Sequence, residues 1–271
     1  MKKLVCFALI LGFAISFAFA GGKADKGKEP GKAAKLICGV TEFEPMNFRD
    51  SSGKWTGFDT DLALLVGEKL GMSVEFQEIE WASKYQELNA GTINAIWNGF
   101  TANASENGVP RSTMVDFSYS YLRNEQSIVI RTARAGEFTG QNSLIGKKAA
   151  AENGSAGESF AKEAIGNDGS IIGTPAQINT FLEVKSGAVD FAVVDVLLAQ
   201  RLAGSGDYAD LMVANIKLDH EVYAIGFKKG SDLTAKVNQI LKQLYDEGKM
   251  LELAKKYKLE DSLVLDTNFK G

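Results

Sequence analysis

From Leu36 onward, short apolar runs alternate with stretches whose apolar residues recur at helical spacing. A chain that switches repeatedly between strand-length runs and a 3.6-residue period builds an α/β fold with mainly parallel strands, each helix carrying the chain back across a sheet. The first strand is read over 36–40. A helix opening near Asp59, its expected N-cap, carries Leu62, Leu65, Val66 and Leu70 and stops at Gly71. Strands follow over 74–79 and 93–97, separated by a short helix over 83–90. A strand over 147–151 leads into a helix at Ser155, where Ser155 and Glu158 have capping-box spacing. Thr174 and Pro175 open a helix that ends at Gly187, a strand covers 190–194, and another helix starts from Asp195. Two amphipathic helices close the chain, the first with Leu233, Val237, Ile240, Leu241 and Leu244 on one face and Gly248 as its stop, the second running through Tyr257.

One unit occurs twice. Leu88-Asn-Ala-Gly91-Thr-Ile93-Asn-Ala-Ile-Trp97-Asn98-Gly99 and Val184-Lys-Ser-Gly187-Ala-Val189-Asp-Phe-Ala-Val193-Val194-Asp195 both read as helix, Gly stop and strand. Each places a polar or backbone-permissive residue, Gly99 or Asp195, at the carboxyl end of its strand. Open α/β sheets bind ligands at those ends. Two such units imply two lobes that present strand ends to a shared cleft, and the chain is long enough for two cores.

The N-terminus stands apart from this pattern. Met1-Lys2-Lys3 precedes an uncharged apolar run over 4–20 that ends Ala18-Phe19-Ala20, the form of a secretory signal peptide with cleavage expected after Ala20. An uncleaved membrane anchor is the competing reading, because the run approaches the lower limit for spanning a bilayer. Cys6 lies inside the signal, too early to be a lipid-carrying first residue. Residues 21–34, GGKADKGKEPGKAA, read as a solvated tether. The signal holds two lysines and no acid, so its removal shifts the formal charge from −4 to −6. With no basic excess, nucleic acid is not an expected partner. A single histidine, His220, and two cysteines far apart, Cys6 and Cys38, supply neither a metal-ligand cluster nor a disulfide framework, so no metal and no cofactor are expected. Cys38 alone survives cleavage and reads as a small core residue.

Four stretches, taken in order, carry a family resemblance. They are Gly39-Val-Thr-Glu-Phe43-Glu-Pro45-Met-Asn-Phe48 with Gly57-Phe58-Asp59-Thr-Asp61-Leu62; Trp97-Asn98-Gly99-Phe100-Thr101 with Arg111-Ser-Thr-Met-Val115-Asp116-Phe117-Ser118; Gly146 to Gly157; and Val189 to Asp195. Together they resemble the polar amino-acid branch of family 3 of the periplasmic solute-binding proteins, which serve ABC transporters. The resemblance implies a two-lobed periplasmic-binding-protein fold of type II, each lobe a mainly parallel sheet flanked by helices, with two hinge crossovers. Lobe 1 is expected at 35–127 and 224–271 and lobe 2 at 128–223, with connecting strands near 126–130 and 221–224. It further implies a monomer in the periplasm that closes on a free amino acid and delivers it to a transmembrane permease.

A zwitterion taken out of water needs opposite charge at both ends. By the resemblance, Arg111 takes the ligand carboxylate, helped by Thr101 and by Ser155 and Ala156 at a helix N-terminus, where a guanidinium fork and free N–H groups both suit an anion. Asp195 takes the ammonium with the Gly99 carbonyl, and Phe43 and Trp81 sandwich the side-chain stem. Asn98, Glu42, Glu152 and Asn153 make the side-chain pocket polar. Its two acids lean it toward arginine, lysine or ornithine, while Val194, placed where a polar residue could read the ligand, leaves a neutral polar amino acid open. Taken singly, these residues have plainer readings: Arg111 a solvated surface residue, Asp195 an N-cap, Phe43 and Trp81 core aromatics. The sequence departs from the family at one point. Arg111 stands ten residues after Thr101 rather than about five, and the extra loop, 102–110, is expected at the cleft mouth, displacing the arginine or capping the pocket. An enzyme on the same fold, a dehydratase for example, is the main alternative, yet G-x-S-x-G, H-E-x-x-H, G-x-G-x-x-G and P-loop motifs are all absent, so a non-enzyme is expected. A soluble sensor serving a receptor is the third reading.

Overall fold

The computed structural model describes residues 34–269. The expected signal peptide, its cleavage site and nearly all of the tether lie outside the described residues. Two sheets account for most of the strands. The first has the order Ser73–Glu78, Lys35–Val40, Ala95–Ile96, Gly226–Phe227 and Asp116–Phe117. Its first three strands are parallel, with Leu36 beside Val74 and Cys38 beside Ala95, and the last two run antiparallel to Ala95–Ile96 and to each other. Leu36, Cys38 and Val40 are fully buried because helix α1 (Phe58–Leu70), with α6 (Asp232–Asp246) and α7 (Lys249–Tyr257) beyond it, covers the sheet. The short helix α2 (Lys84–Ala90) follows a single 3₁₀ turn, Trp81–Ser83.

In the second sheet the order is Ser170–Thr174, Lys148–Glu152, Phe191–Asp195, Ser120–Arg131 and Leu211–Val213. The first three strands are parallel, and α3 (Ala156–Ile165), α4 (Gln177–Ser186) and α5 (Val196–Leu202) pack against them. Edge strand Ser170–Thr174 was not legible in the sequence, since Ser-Ile-Ile-Gly-Thr does not alternate.

The 12-residue strand Ser120–Arg131 belongs to both halves of the molecule. Its first part pairs with His220–Tyr223 and Leu263–Asp266, and its second part, from Gln126, pairs with Phe191–Asp195. His220–Tyr223 then leads back to Gly226–Phe227 of the first sheet. These two antiparallel strands carry the chain between the sheets.

Helix starts depart from the sequence reading in instructive ways. Asp59 is not the N-cap of α1: Gly57 holds that position, and Asp59 is fully buried in the first turn, its Oδ2 accepting the N–H of Gly99 at 2.7 Å. Burial pushes its carboxyl up to about 7, against the lowering effect of that N–H and of Tyr121 and Trp97. Ser155 does cap α3, its hydroxyl accepting the Glu158 N–H, while Glu158 reaches back to the N–H of Gly154. Asp195 occupies the N-cap position of α5 but makes no capping bond, which frees its carboxylate for other partners.

Close packing of α1 on its neighbouring strand depends on a missing side chain. A Cβ at Gly67 would lie 2.3 Å from Val74 Cγ2 and 3.2 Å from the Met72 carbonyl oxygen. Gly67→Val is expected to destabilise the protein by about 1–3 kcal/mol through overpacking, with partial recovery when Val74→Ala is added. Urea denaturation midpoints measure both; an unchanged midpoint in Gly67→Val would contradict the packing.

A charged cavity as the candidate functional site

The carboxyl ends of the parallel strands in the two sheets face one another, and a small cavity of about 10 Å³ lies between them. Its walls are Trp81, Asn98, Gly99, Thr101 and Arg111 from the first half and Glu152, Ser155, Ala156, Gln177 and Asp195 from the second. Nine of these ten were singled out in the sequence; Gln177 was not.

Arg111 is 1% exposed. Nε donates to Glu106 at 2.9 Å, Nη1 to the Thr101 carbonyl at 3.0 Å and Nη2 to the Gly154 carbonyl at 3.3 Å, while the guanidinium carbon sits 4.9 Å over the Phe100 ring. A guanidinium has five N–H donors, so one on each terminal nitrogen has no protein partner. Thr101 forms a β-bridge with Tyr223 through the flanking residues, Ala102 N–H to Val222 and Ala224 N–H to Phe100. In such a pair the residue's own N–H and C=O point away from the bridge, toward Arg111. The first turn of α3 adds further backbone donors and its positive dipole end from the opposite wall.

Acidic groups occupy the other side. Asp195 Oδ1 accepts from the amides of Asn124 and Gln126, Oδ2 accepts from Gln177, and the Asp195 N–H donates to Gln177 Oε1 at 2.8 Å. Glu221 Oε2 takes the Asn124 and Gln126 amides at 2.8 and 3.0 Å and the Thr101 hydroxyl at 3.2 Å. Two carboxylates thus share two amides. Burial raises Asp195, and burial followed by the Asp195 charge pushes Glu221 up to about 7. Glu152, 3% exposed, is pushed up to about 8 by burial and then by Asp195, with Lys84 and Arg111 pulling the other way. Its Oε1 has no hydrogen-bond partner.

Three expected pocket residues are elsewhere. Glu42 is half-buried and its carboxylate accepts the Arg49 N–H at 2.9 Å. Asn153 is exposed with its amide against Gly173, on the opposite side of the strand end from Glu152, as the two-residue alternation of a strand demands. Phe43 is buried behind the wall, edge-on to Tyr223 and against Gly99, whose φ of 55° and crowded Cα leave no room for a Cβ, only 2.5 Å from the Phe43 ring. Of the expected aromatic pair, only Trp81 lines the cavity, perpendicular to Phe100.

Arg111 lines the cavity with the extra residues 102–110 in place. They form a hairpin, Ser105–Glu106 with Val109–Pro110, around Asn107 and Gly108, both at positive φ as a type I′ turn requires. The hairpin delivers Glu106 to Arg111. Lys84, also missed, is fully buried with its Nζ 3.0 Å from Glu106 and 2.9 Å from the Gly154 carbonyl. Asn-Gly was a readable hairpin signal, and Lys84 stands one helical turn before buried Leu88, on the inward face of α2.

Residues 36–260 match the family model of bacterial extracellular solute-binding proteins, family 3. The chain belongs to this family. It is 28% identical to the arginine-binding extracellular protein ArtP of Bacillus subtilis over 95% of this chain and 98% of that one. Among solved structures it resembles a substrate-binding protein of an ABC uptake transporter from Streptococcus pneumoniae with bound histidine, with 31% identity, a TM-score of 0.74 and coverage of 85% of this chain and 94% of that one. An ancestral amino-acid-binding protein described as a precursor of cyclohexadienyl dehydratase is similar at 29% identity and a TM-score of 0.73, covering 83% and 95%. The family 3 chain has the two-lobed type II fold.

Because Glu152 binds its proton more tightly in the fold than the ordinary Glu value of 4.5, its ionisation opposes folding. Stability from this group is full below the unfolded value and declines as pH rises toward 8. Relative to wild type, Glu152→Gln is therefore expected to gain stability between pH 5 and pH 8, by at most about 1.4 kcal/mol per pH unit. Urea midpoints at pH 5, 6.5 and 8 test this; a pH-independent offset would contradict it.

Proposed function

We propose that this protein binds a cationic L-amino acid, arginine, lysine or ornithine, between lobes at 35–127 with 224–271 and at 128–223, and delivers it from the periplasm, as a monomer, to the permease of an ABC transporter. The observation that carries this reading is the Glu152 carboxylate: buried, in the cavity wall, and with Oε1 unpartnered. A buried acceptor left unmatched is costly, and a guanidinium or ammonium on the ligand satisfies it.

The remaining walls supply the α-carbon end. Two unused Arg111 donors, the Thr101 backbone and the opening turn of α3 converge on one region for the carboxylate. Asp195 with the Gly99 carbonyl serves the ammonium, and the Asn124, Gln126 and Gln177 amides fix the Asp195 carboxylate so that it need not reorganise when the ligand arrives. Trp81 offers its ring to the aliphatic stem. Relatives named for arginine and histidine binding support a nitrogen-rich side chain. A dehydratase reading has one feature behind it, Glu152 as a buried acid that holds its proton near neutral pH; it requires a bound ligand to be converted, whereas a carrier returns it unchanged.

A thermal-shift panel of the twenty amino acids with ornithine is the first test, since a ligand that binds only the folded state raises its melting temperature with concentration. The basic amino acids are expected to give the largest shifts. Asp195→Ala is expected to weaken the best ligand by roughly 10- to 150-fold, the range of one charge-assisted hydrogen bond. Unchanged affinity in that variant would remove the ammonium assignment.

A further inference from the structure

The hairpin over 102–110 brings one carboxylate oxygen to an unusual concentration of donors. Glu106 Oε1 accepts from Arg111 Nε at 2.9 Å and from the Tyr85 hydroxyl at 2.9 Å, and lies 3.0 Å from Lys84 Nζ. Both cations then reach across the cleft to the same atom, the carbonyl oxygen of Gly154, Lys84 at 2.9 Å and Arg111 at 3.3 Å. Gly154 can approach only as glycine. Its φ is 72° and a Cβ would meet Ala82 Cα at 3.0 Å and Lys84 Nζ at 3.4 Å.

Two cations side by side repel, and neither would stay buried without a shared anion. Glu106 supplies it, and by occupying Nε it fixes the rotation of the guanidinium plane. The Thr101 carbonyl fixes Nη1 in turn. What remains of the fork is aimed at the cavity.

We propose that Glu106 is a positioning residue: it sets the direction in which Arg111 presents its two unused N–H groups to the ligand carboxylate, and it holds Lys84 against Gly154 when the lobes are together. This rests on the reading of Arg111 as the carboxylate clamp. The inserted hairpin, which packs against α3 of the other lobe through Ser105–Glu106, is thereby part of the recognition apparatus rather than a surface ornament.

The test compares L-arginine with L-argininamide, which lacks the carboxylate charge, by titration calorimetry. Wild type is expected to prefer arginine on the order of 100-fold, the worth of two charge-assisted hydrogen bonds at the low end of their range. Glu106→Ala is expected to narrow that preference at least tenfold, and Glu106→Gln, which keeps an acceptor at the same reach, to narrow it less. Lys84→Met is expected to leave the preference intact while arginine dissociates several-fold faster in stopped-flow measurements on Trp fluorescence. A hairpin with a structural role only would lower the melting temperature of the Glu106 variants and leave the preference unchanged, overturning the proposal. Wild type that does not distinguish the two compounds would overturn the clamp itself, and with it the role of Glu106.

Discussion

Arg111 is taken almost wholly out of water, and a guanidinium cannot shed its proton to escape the cost. Its partners answer that cost: the Glu106 carboxylate, the Thr101 carbonyl beside a β-bridge and the face of Phe100 from its own half, and the Gly154 carbonyl from the other. What these partners leave over is as important as what they hold. Three donors are committed and two are free, in a cavity whose opposite wall is a helix N-terminus.

On the far side the logic is reversed. Asp195, Glu221 and Glu152 are three buried acids, and their proton affinities all rise, through burial first and, for Glu221 and Glu152, through the Asp195 charge next. Side-chain amides from the crossover strand, Asn124 and Gln126, soften this for Asp195 and Glu221. Glu152 Oε1 has no such hydrogen bond, and only the charges of Lys84 and Arg111 act against the rise. One side of the cavity is thus filled by amides, while Glu152 Oε1 on the other has no hydrogen-bond partner. Asn124 and Gln126 lie on the strand that joins the two sheets, so the partners of Asp195 belong to the crossover itself.

Much of this is legible in the sequence. Hydrophobic periodicity gave the alternation of strands and helices, and glycine stops at Gly71 and Gly187 fell where left-handed backbone ends α1 and α4. Arg111, Asp195, Gly99, Thr101, Trp81 and Glu152 were brought together because motif residues at strand ends are held by the backbone, which the pattern specifies. Failures came where side-chain direction decides. Asn153 is next to Glu152, which lines the cavity, and points the other way; Glu42 turns to the Arg49 N–H, and the turn at Phe43–Asn47 buries Phe43 behind the wall. Gln177, Lys84 and Glu106 act through long-range contacts, between residues 18, 22 and 70 positions apart, for which a single sequence carries no direct signal.

The decisive quantity is the ratio of affinities for L-arginine and L-citrulline, near-isosteric ligands that differ in the charge of the terminal group. Titration calorimetry at pH 8, about the value to which Glu152 is pushed up in the ligand-free protein, should give arginine the tighter binding by at least tenfold, with Glu152→Gln reducing the ratio to near one. Equal affinities in wild type would contradict the assignment of Glu152 and with it the cationic ligand class.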